Sequence, residues 1–194
     1  MFARTPRLLL RPGWADDAAA LTAALNEESL ARNLARVPFP YSLDDAQEFL
    51  ARPIDTRHPR LLVFSRTQGV PRLVGGVGLH AAEDNAETGA VEIGYWVARP
   101  YWGLGFATEA TGALVRAARA MGHRTIRARH AVDNPASGRV LRKLGFRPTG
   151  DFVRIHSAAR GEDVLTVTFE DSGEADMRPD VANELYADSD VMAA

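Results

Sequence analysis

Hydrophobic and polar positions alternate in distinct blocks along the chain, and each block predicts an element. Arg7 to Arg11 (RLLLR) reads as a short first strand, stopped by Pro12-Gly13. Leu21, Ala24 and Leu25 share one helical face in an alanine-rich run, with Asp16 or Asp17 as its cap; the helix is expected to continue to about Ala35. Val37 to Tyr41 carries two prolines and is not helical. Ser42-Leu43-Asp44-Asp45 is a capped start for a second helix through Phe49 and Leu50, ended by Pro53. Arg60 to Arg66 and Arg72 to His80 alternate as strands around a Gln68-Gly69 turn. Gly75, Gly76 and Gly78 inside the second of these predict a bulge or a close approach by another group.

A polar loop, Ala81 to Gly89, precedes a strand from Val91 to Ala98. Phe106 to Met121 is helical and stops at Gly122; Arg124 to Ala131 is a strand. Asn134 caps and Pro135 opens a further helix, whose Val140, Leu141 and Leu144 lie on one face before the Gly145 stop. Thr149 to Ser157 and Asp163 to Phe169 form a closing hairpin. Strands and helices in this order predict an α+β fold with a mixed sheet. From Glu170 acids dominate, with Arg178 the sole basic residue. The division expected is one domain over residues 1–170 and a flexible acidic tail over 171–194.

Composition narrows the function classes. The 194 residues are 46% hydrophobic, enough for one full core, and the net charge of -2 is not a nucleic-acid footprint. The absence of cysteine excludes disulfides and thiolate metal sites. Residues 1–11 lack the apolar core of a signal peptide, and no apolar run approaches the roughly 20 residues of a membrane span. A soluble, cytoplasmic protein without metal, nucleic-acid or membrane partner is expected. All basic residues but Lys143 are arginine, a bias that carries no chemistry by itself.

The most informative segment is Arg99-Pro100-Tyr101-Trp102-Gly103-Leu104-Gly105-Phe106-Ala107-Thr108-Glu109-Ala110. A strand, a glycine turn and a helix start present unpaired N–H groups with the positive end of a helix dipole behind them, a ready phosphate site. A Walker loop needs Lys-Ser or Lys-Thr where Phe106-Ala107 stands. A dinucleotide fingerprint needs Gly or Ala where Thr108 stands, and an acid about 20 residues later, where Arg124 to Ala128 has none. The segment resembles the pyrophosphate loop of the GNAT acetyltransferases, above all the RimJ/RimL-like branch with its Trp-Gly-x-Gly-x-Ala-Thr-Glu-Ala run. Pro100, where that family often has Gln or Arg, is the departure. Asp133 to Phe146 is similar to the family's second cofactor segment, Asn-x-x-Ser followed by Lys-Leu-Gly-Phe. The resemblance extends over about Arg7 to Phe169.

What the resemblance implies is an acyltransferase fold, a central, mixed and mostly antiparallel sheet flanked by helices, and acetyl-CoA as co-substrate. The backbone of Trp102, Gly103, Leu104, Gly105, Phe106, Ala107 and Thr108 would hold the pyrophosphate. Trp96 and Val97 would offer a free strand edge to the pantetheine arm, where the strand splays from its neighbour near a bulge. Glu92 resembles the acid that some relatives use as a base; pairing with an arginine across the sheet is the structural alternative. His80 is the rival base, and a strand-end histidine is also often structural. Ser137 would lie near the sulfur as a proton donor and Asn134 near the pantetheine amides, or both would only cap their helix. Tyr95, Tyr101 and Tyr41 are further acids. Asn33, Arg36, Tyr41 and His80 would line the acceptor side, with Phe39 as packing. The expected reaction is acetyl transfer to a primary amine, a protein N-terminus by resemblance. A small-molecule acceptor or a non-catalytic acyl-CoA-binding module is the alternative. Monomer and homodimer both remain open.

Overall fold

The computed structural model describes residues 1–67, 69–83 and 85–171. Strand β1 (Ala3–Arg4) and β2 (Leu8–Arg11) open the chain, and a 3-10 turn (Ala15–Asp17) leads into α1 (Ala18–Leu25) and the single turn α2 (Glu28–Ala31). After α3 (Leu43–Ala51) come β3 (Arg60–Ser65), β4 (Arg72–Ala81), the short α4 (Asn85–Thr88) and β5 (Val91–Val97). A second 3-10 turn (Arg99–Tyr101) precedes α5 (Phe106–Ala120), β6 (Ile126–Ala131), α6 (Pro135–Lys143) and the hairpin β7 (Arg147–Ser157) and β8 (Glu162–Asp171). The eight strands form one sheet in the order β1-β2-β3-β4-β5-β6-β8-β7, antiparallel everywhere except between β5 and β6.

Helices cover both faces of this sheet, which is why β3 reads as a continuous apolar run rather than a half-polar one. Its Leu61 and Val63 pack with α5 and α6 around Leu114, Leu141, Phe146 and Phe169. Its Leu62 and Phe64 point the other way, into a second cluster with Leu21, Leu25, Leu30 and Tyr41 from the α1–α3 side. Strand β5 alternates likewise: Ile93, Tyr95 and Val97 lie on the α5–α6 face, and Trp96 on the α1–α3 face.

The helix expected to run to Ala35 ends at Asn26, whose ψ of 47° leaves the helical region. Its side-chain oxygen accepts the Tyr41 N–H at 3.2 Å, a bond to the segment fifteen residues on that anchors the helix end there. Asp17 does not cap α1 with its side chain. Its carboxylate takes the Arg11 guanidinium at 2.7 and 2.8 Å and the Trp14 N–H at 2.8 Å. Arg11 in turn lies between the rings of Trp14 and Phe64, at 3.8 and 4.0 Å. Ser42 caps α3 as expected, accepting the Asp45 N–H at 3.1 Å. Part of the expected Ala81 to Gly89 loop is the helix α4, and Asp84 lies outside the described residues. Gln68 of the expected turn does too, and so does the acidic tail beyond Asp171, itself the last residue of β8.

The irregularity expected near the β4 glycines falls between β3 and β4, where Val74 is the extra residue, while β5 keeps an unbroken register with β4; a second lies between β7 and β8 at Pro148/Phe152. Gly75 and Gly76 are required by β5: a Cβ on them would stand 2.3 Å from the Trp96 carbonyl oxygen and 2.5 Å from its indole nitrogen.

The Arg11–Asp17 pair is buried, and burial opposes the charge on Asp17. The Arg11 hydrogen bonds, with the Trp14 amide, outweigh this and hold the carboxyl below its usual range. A carboxyl with a depressed native pKa stabilises the fold above its unfolded value of about 3.9, and this contribution fades as pH falls through the native one. Asp17→Ala is therefore expected to cost about 3–5 kcal/mol at pH 7 in denaturant titrations. The gap to the wild type should narrow below pH 4.

Candidate active site: a cleft where the sheet opens

Strands β5 and β6 start as a parallel pair, but the ladder holds only Val91 opposite Ile126 and Glu92 opposite Arg127. Beyond that β6 pairs with β8 alone, and β5 with β4 alone. The Val91 N–H bonds Thr125 on the β6 side at 3.1 Å, and the Ala98 N–H bonds Val74 on the β4 side at 2.9 Å. Alternation along a strand then directs the Tyr95 and Val97 backbone groups toward the gap and those of Trp96 toward β4. Of the two expected edge residues, Val97 offers the N–H. Trp96 contributes its ring over Gly76 and the wall of the α1–α3 side. The Trp102 indole donates to the Val97 carbonyl at 2.6 Å and thereby docks the next loop against the same edge.

That loop ends in α5, whose N-cap is Gly105 with φ of 77° and no side-chain cap. The first N–H groups of the helix are left for a ligand. Gly103, at φ 78°, has nothing within 4 Å of the place a Cβ would take. Trp102, Gly103, Gly105, Phe106, Ala107 and Thr108 line the cleft; Leu104 does not, because its carbonyl turns back to Arg7 at 2.9 Å. Uncapped helix amides beside an open glycine cradle fit a diphosphate.

On the α5–α6 face of the gap, the Tyr95 hydroxyl lies 2.7 Å from Ser137 Oγ and donates to the Ser137 carbonyl at 3.1 Å. Burial pushes the Tyr95 phenol up to about 12, against the opposing effect of the Ser137 hydrogen bond. The pair thus stays protonated at neutral pH. Asn134 caps α6 by accepting the Ser137 N–H at 3.3 Å, and both residues also line the cleft.

On the opposite face Glu92 lies 3.2 Å from the Arg129 guanidinium and 3.9 Å from His80 Nε2. Burial raises its pKa, but the nearby His80 and the Arg129 charge outweigh burial and hold it below the usual carboxylate range. Glu92 is accordingly a firm anion and a weak proton acceptor. The His80 ring packs over Gly94, with Cε1 3.7 Å from where a Cβ would stand, and remains 39% exposed.

Arg36, Asn33 and Tyr41 line the same cleft, although the Asn33 amide folds back onto the Ser29 carbonyl at 2.9 Å. Tyr41 is buried and its phenol is also raised to about 12, chiefly by burial. Arg160 ties the β7–β8 turn to the segments after α2 and before α6, donating to the Arg32 carbonyl at 2.8 Å and to both Asp133 oxygens at 2.7 and 3.0 Å. The cleft between these walls measures about 860 Å³.

Residues 7–147 match the model of the acetyltransferase (GNAT) domain. The chain belongs to the GNAT acetyltransferases. A GNAT relative from Bacillus subtilis (strain 168), the uncharacterized N-acetyltransferase YoaA, is 31% identical over 156 residues, covering 75% of this chain and 82% of its own. A GNAT acetyltransferase from Bacillus anthracis superposes with a TM-score of 0.76 at 22% identity, over 90% of this chain and 100% of that one. RimL, a ribosomal L7/L12 alpha-N-protein acetyltransferase solved with coenzyme A, gives a TM-score of 0.71 at 19% identity, over 89% and 98%. These likenesses establish the GNAT fold, and the GNAT family uses acetyl-CoA.

Three residues around this GNAT cleft escape sequence reading. Arg129 is one of many arginines and gains meaning only from its guanidinium reaching Glu92, from two residues beyond the Arg127 that the register sets opposite. Arg7 and Glu109 meet across about a hundred residues, at 2.7 Å. Glu109 stands inside the quoted loop motif, and that was its available signal.

Gly103 offers a direct test of the cradle. A side chain at φ near +78° costs about 1–2 kcal/mol of stability. Gly103→Ala should lose that much in thermal or denaturant melts and lose CoA affinity by clearly more, measured by calorimetric titration, because the Cβ enters the space the ligand needs.

Proposed function

We propose that the chain is an acetyl-CoA-dependent N-acetyltransferase that acts on the α-amine of a protein or peptide by direct transfer in a ternary complex. The observation that carries this reading is the gap beside β5, flanked by a hydroxyl pair on one face and by His80 and Glu92 on the other. Bound acetyl-CoA supplies an acetyl thioester. The amides at the start of α5 and in the glycine turn hold its diphosphate. The Val97 N–H, fixed at the strand edge, faces the position of developing negative charge on a carbonyl oxygen; fixed donors of this kind lower barriers most.

The acceptor enters from the α1–α3 side, past Arg36 and Tyr41. There His80 takes a proton from the incoming ammonium on Nδ1, the ring nitrogen that does not face Glu92, as an imidazole is suited to do near neutral pH. Glu92, kept ionised by Arg129, orients the His80 ring. Attack of the freed amine forms the C–N bond and its second proton passes to solvent; on the far face the C–S bond breaks as Ser137 Oγ gives a proton to the sulfur, and Ser137 regains one from solvent by way of the Tyr95 hydroxyl, while Asn134 holds the helix start in place. Two proton-handling groups on opposite faces argue against a mere acyl-CoA-binding module. The RimL neighbour, whose name specifies an alpha-N-protein acetyltransferase, supports a protein N-terminus over a small amine.

The test is thiol release from acetyl-CoA across peptides with different N-terminal residues and a set of small amines. Release with peptides is expected. Release confined to small amines would move the acceptor class, and binding without any release would favour the binding module. Ser137→Ala should reduce kcat by about 10²–10⁴-fold with an unchanged Kd for acetyl-CoA. His80→Gln should reduce kcat by about 10²–10⁴-fold with an unchanged melting temperature and Kd for acetyl-CoA, whereas a structural role for His80 would show as a lowered melting temperature.

A further inference from the structure

Glu109 is an anion in the first turn of α5, the helix whose N–H groups face the cleft. A carboxylate there suits the helix dipole, but it repels a second anion bound at the same end. The Arg7 carbonyl accepts the Arg66 N–H at 2.9 Å, and the other hydrogen bonds of Arg7 bear on this conflict. Its Nε donates to Glu109 Oε2 at 2.7 Å, and its backbone N–H to Oε1 at 3.0 Å. Its Nη1 donates to the Leu104 carbonyl at 2.9 Å, and its guanidinium lies 4.8 Å from the Phe106 ring centre. Its Nη2 is 3.4 Å from where a Cβ on Gly105 would stand. Arg7 does not line the cleft; it sits behind the loop.

The consequence follows from peptide geometry. In a trans peptide the carbonyl and the next N–H point in opposite directions. Holding the Leu104 carbonyl toward Arg7 therefore aims the Gly105 N–H away from Arg7, to the side on which Gly105 lines the cleft. We infer that Arg7 is the positioning residue of the diphosphate loop: it cancels the Glu109 charge and turns the Leu104–Gly105 peptide so that its N–H meets the anion. This rests on the loop being the coenzyme A diphosphate site. The competing view is that Arg7 and Glu109 merely tie β2 to α5.

The two views separate by ligand. Acetyl-CoA carries the diphosphate and S-acetylpantetheine does not. Calorimetric titration of Arg7→Gln should show acetyl-CoA binding weakened by about tenfold or more, the usual cost of losing a charge-assisted contact, with S-acetylpantetheine binding unchanged. The double variant Arg7→Gln with Glu109→Gln should recover part of the acetyl-CoA affinity, because the uncompensated carboxylate is gone. Arg7→Lys keeps the charge, loses the fork and should fall between; it carries the comparison if Arg7→Gln does not fold. An equal loss for both ligands, or no loss for acetyl-CoA, overturns the inference while leaving the loop assignment intact. Wild-type protein that does not bind acetyl-CoA overturns the loop assignment and the inference together.

Discussion

The parting of β5 from β6 after two register pairs is the constraint on which the rest of the structure depends. A sheet that stayed closed would bury the Tyr95 and Val97 backbone groups in a ladder and leave no route between its faces. Once the strands separate, alternation along β5 decides every role. Odd-numbered residues direct backbone groups into the gap and side chains toward α5 and α6; even-numbered residues send Glu92 and Trp96 to the acceptor side. One strand thereby equips both sides of a through-going cleft. Gly75 and Gly76 in β4 make this possible, since any side chain there would collide with Trp96.

Arginine–carboxylate pairs hold the walls of that cleft. Arg11 and Asp17 fasten the entry to α1, Arg129 fixes Glu92, and Arg160 joins the β7–β8 turn to Asp133 and to the Arg32 carbonyl. In the last pair the Arg160 hydrogen bonds hold the Asp133 carboxyl below its usual range, with burial opposing them. Such forks fix direction as well as charge, and a loop-built site needs direction more than net stability. The Arg129 and Arg160 partners come from separate elements, so the acceptor side is assembled by tertiary contacts rather than by any local motif.

This explains what was legible in the sequence. The strand–turn–helix around Gly103 and Gly105, the Ser42 cap and the Asn134–Ser137 helix start rest on local rules, and the structure places them as read. The family followed from the two motif segments together. What failed locally failed where a partner outside the helix won: Asn26 binds Tyr41 at the end of its helix, and Asp17 leaves its cap for Arg11. The meeting of Tyr95 with Ser137 and of Arg129 with Glu92 depends on register across the opened sheet, which no periodicity reveals.

The central claim is that the β5 edge receives the arm of the acyl donor. Backbone amide exchange, read residue by residue with and without acetyl-CoA, tests it most directly. The account predicts that the Val97 and Tyr95 amides and those from Gly103 to Thr108 slow on binding, while Trp96, already directed toward β4, changes little. Protection that spares Val97 and Tyr95, or that falls on Trp96 instead, would contradict it.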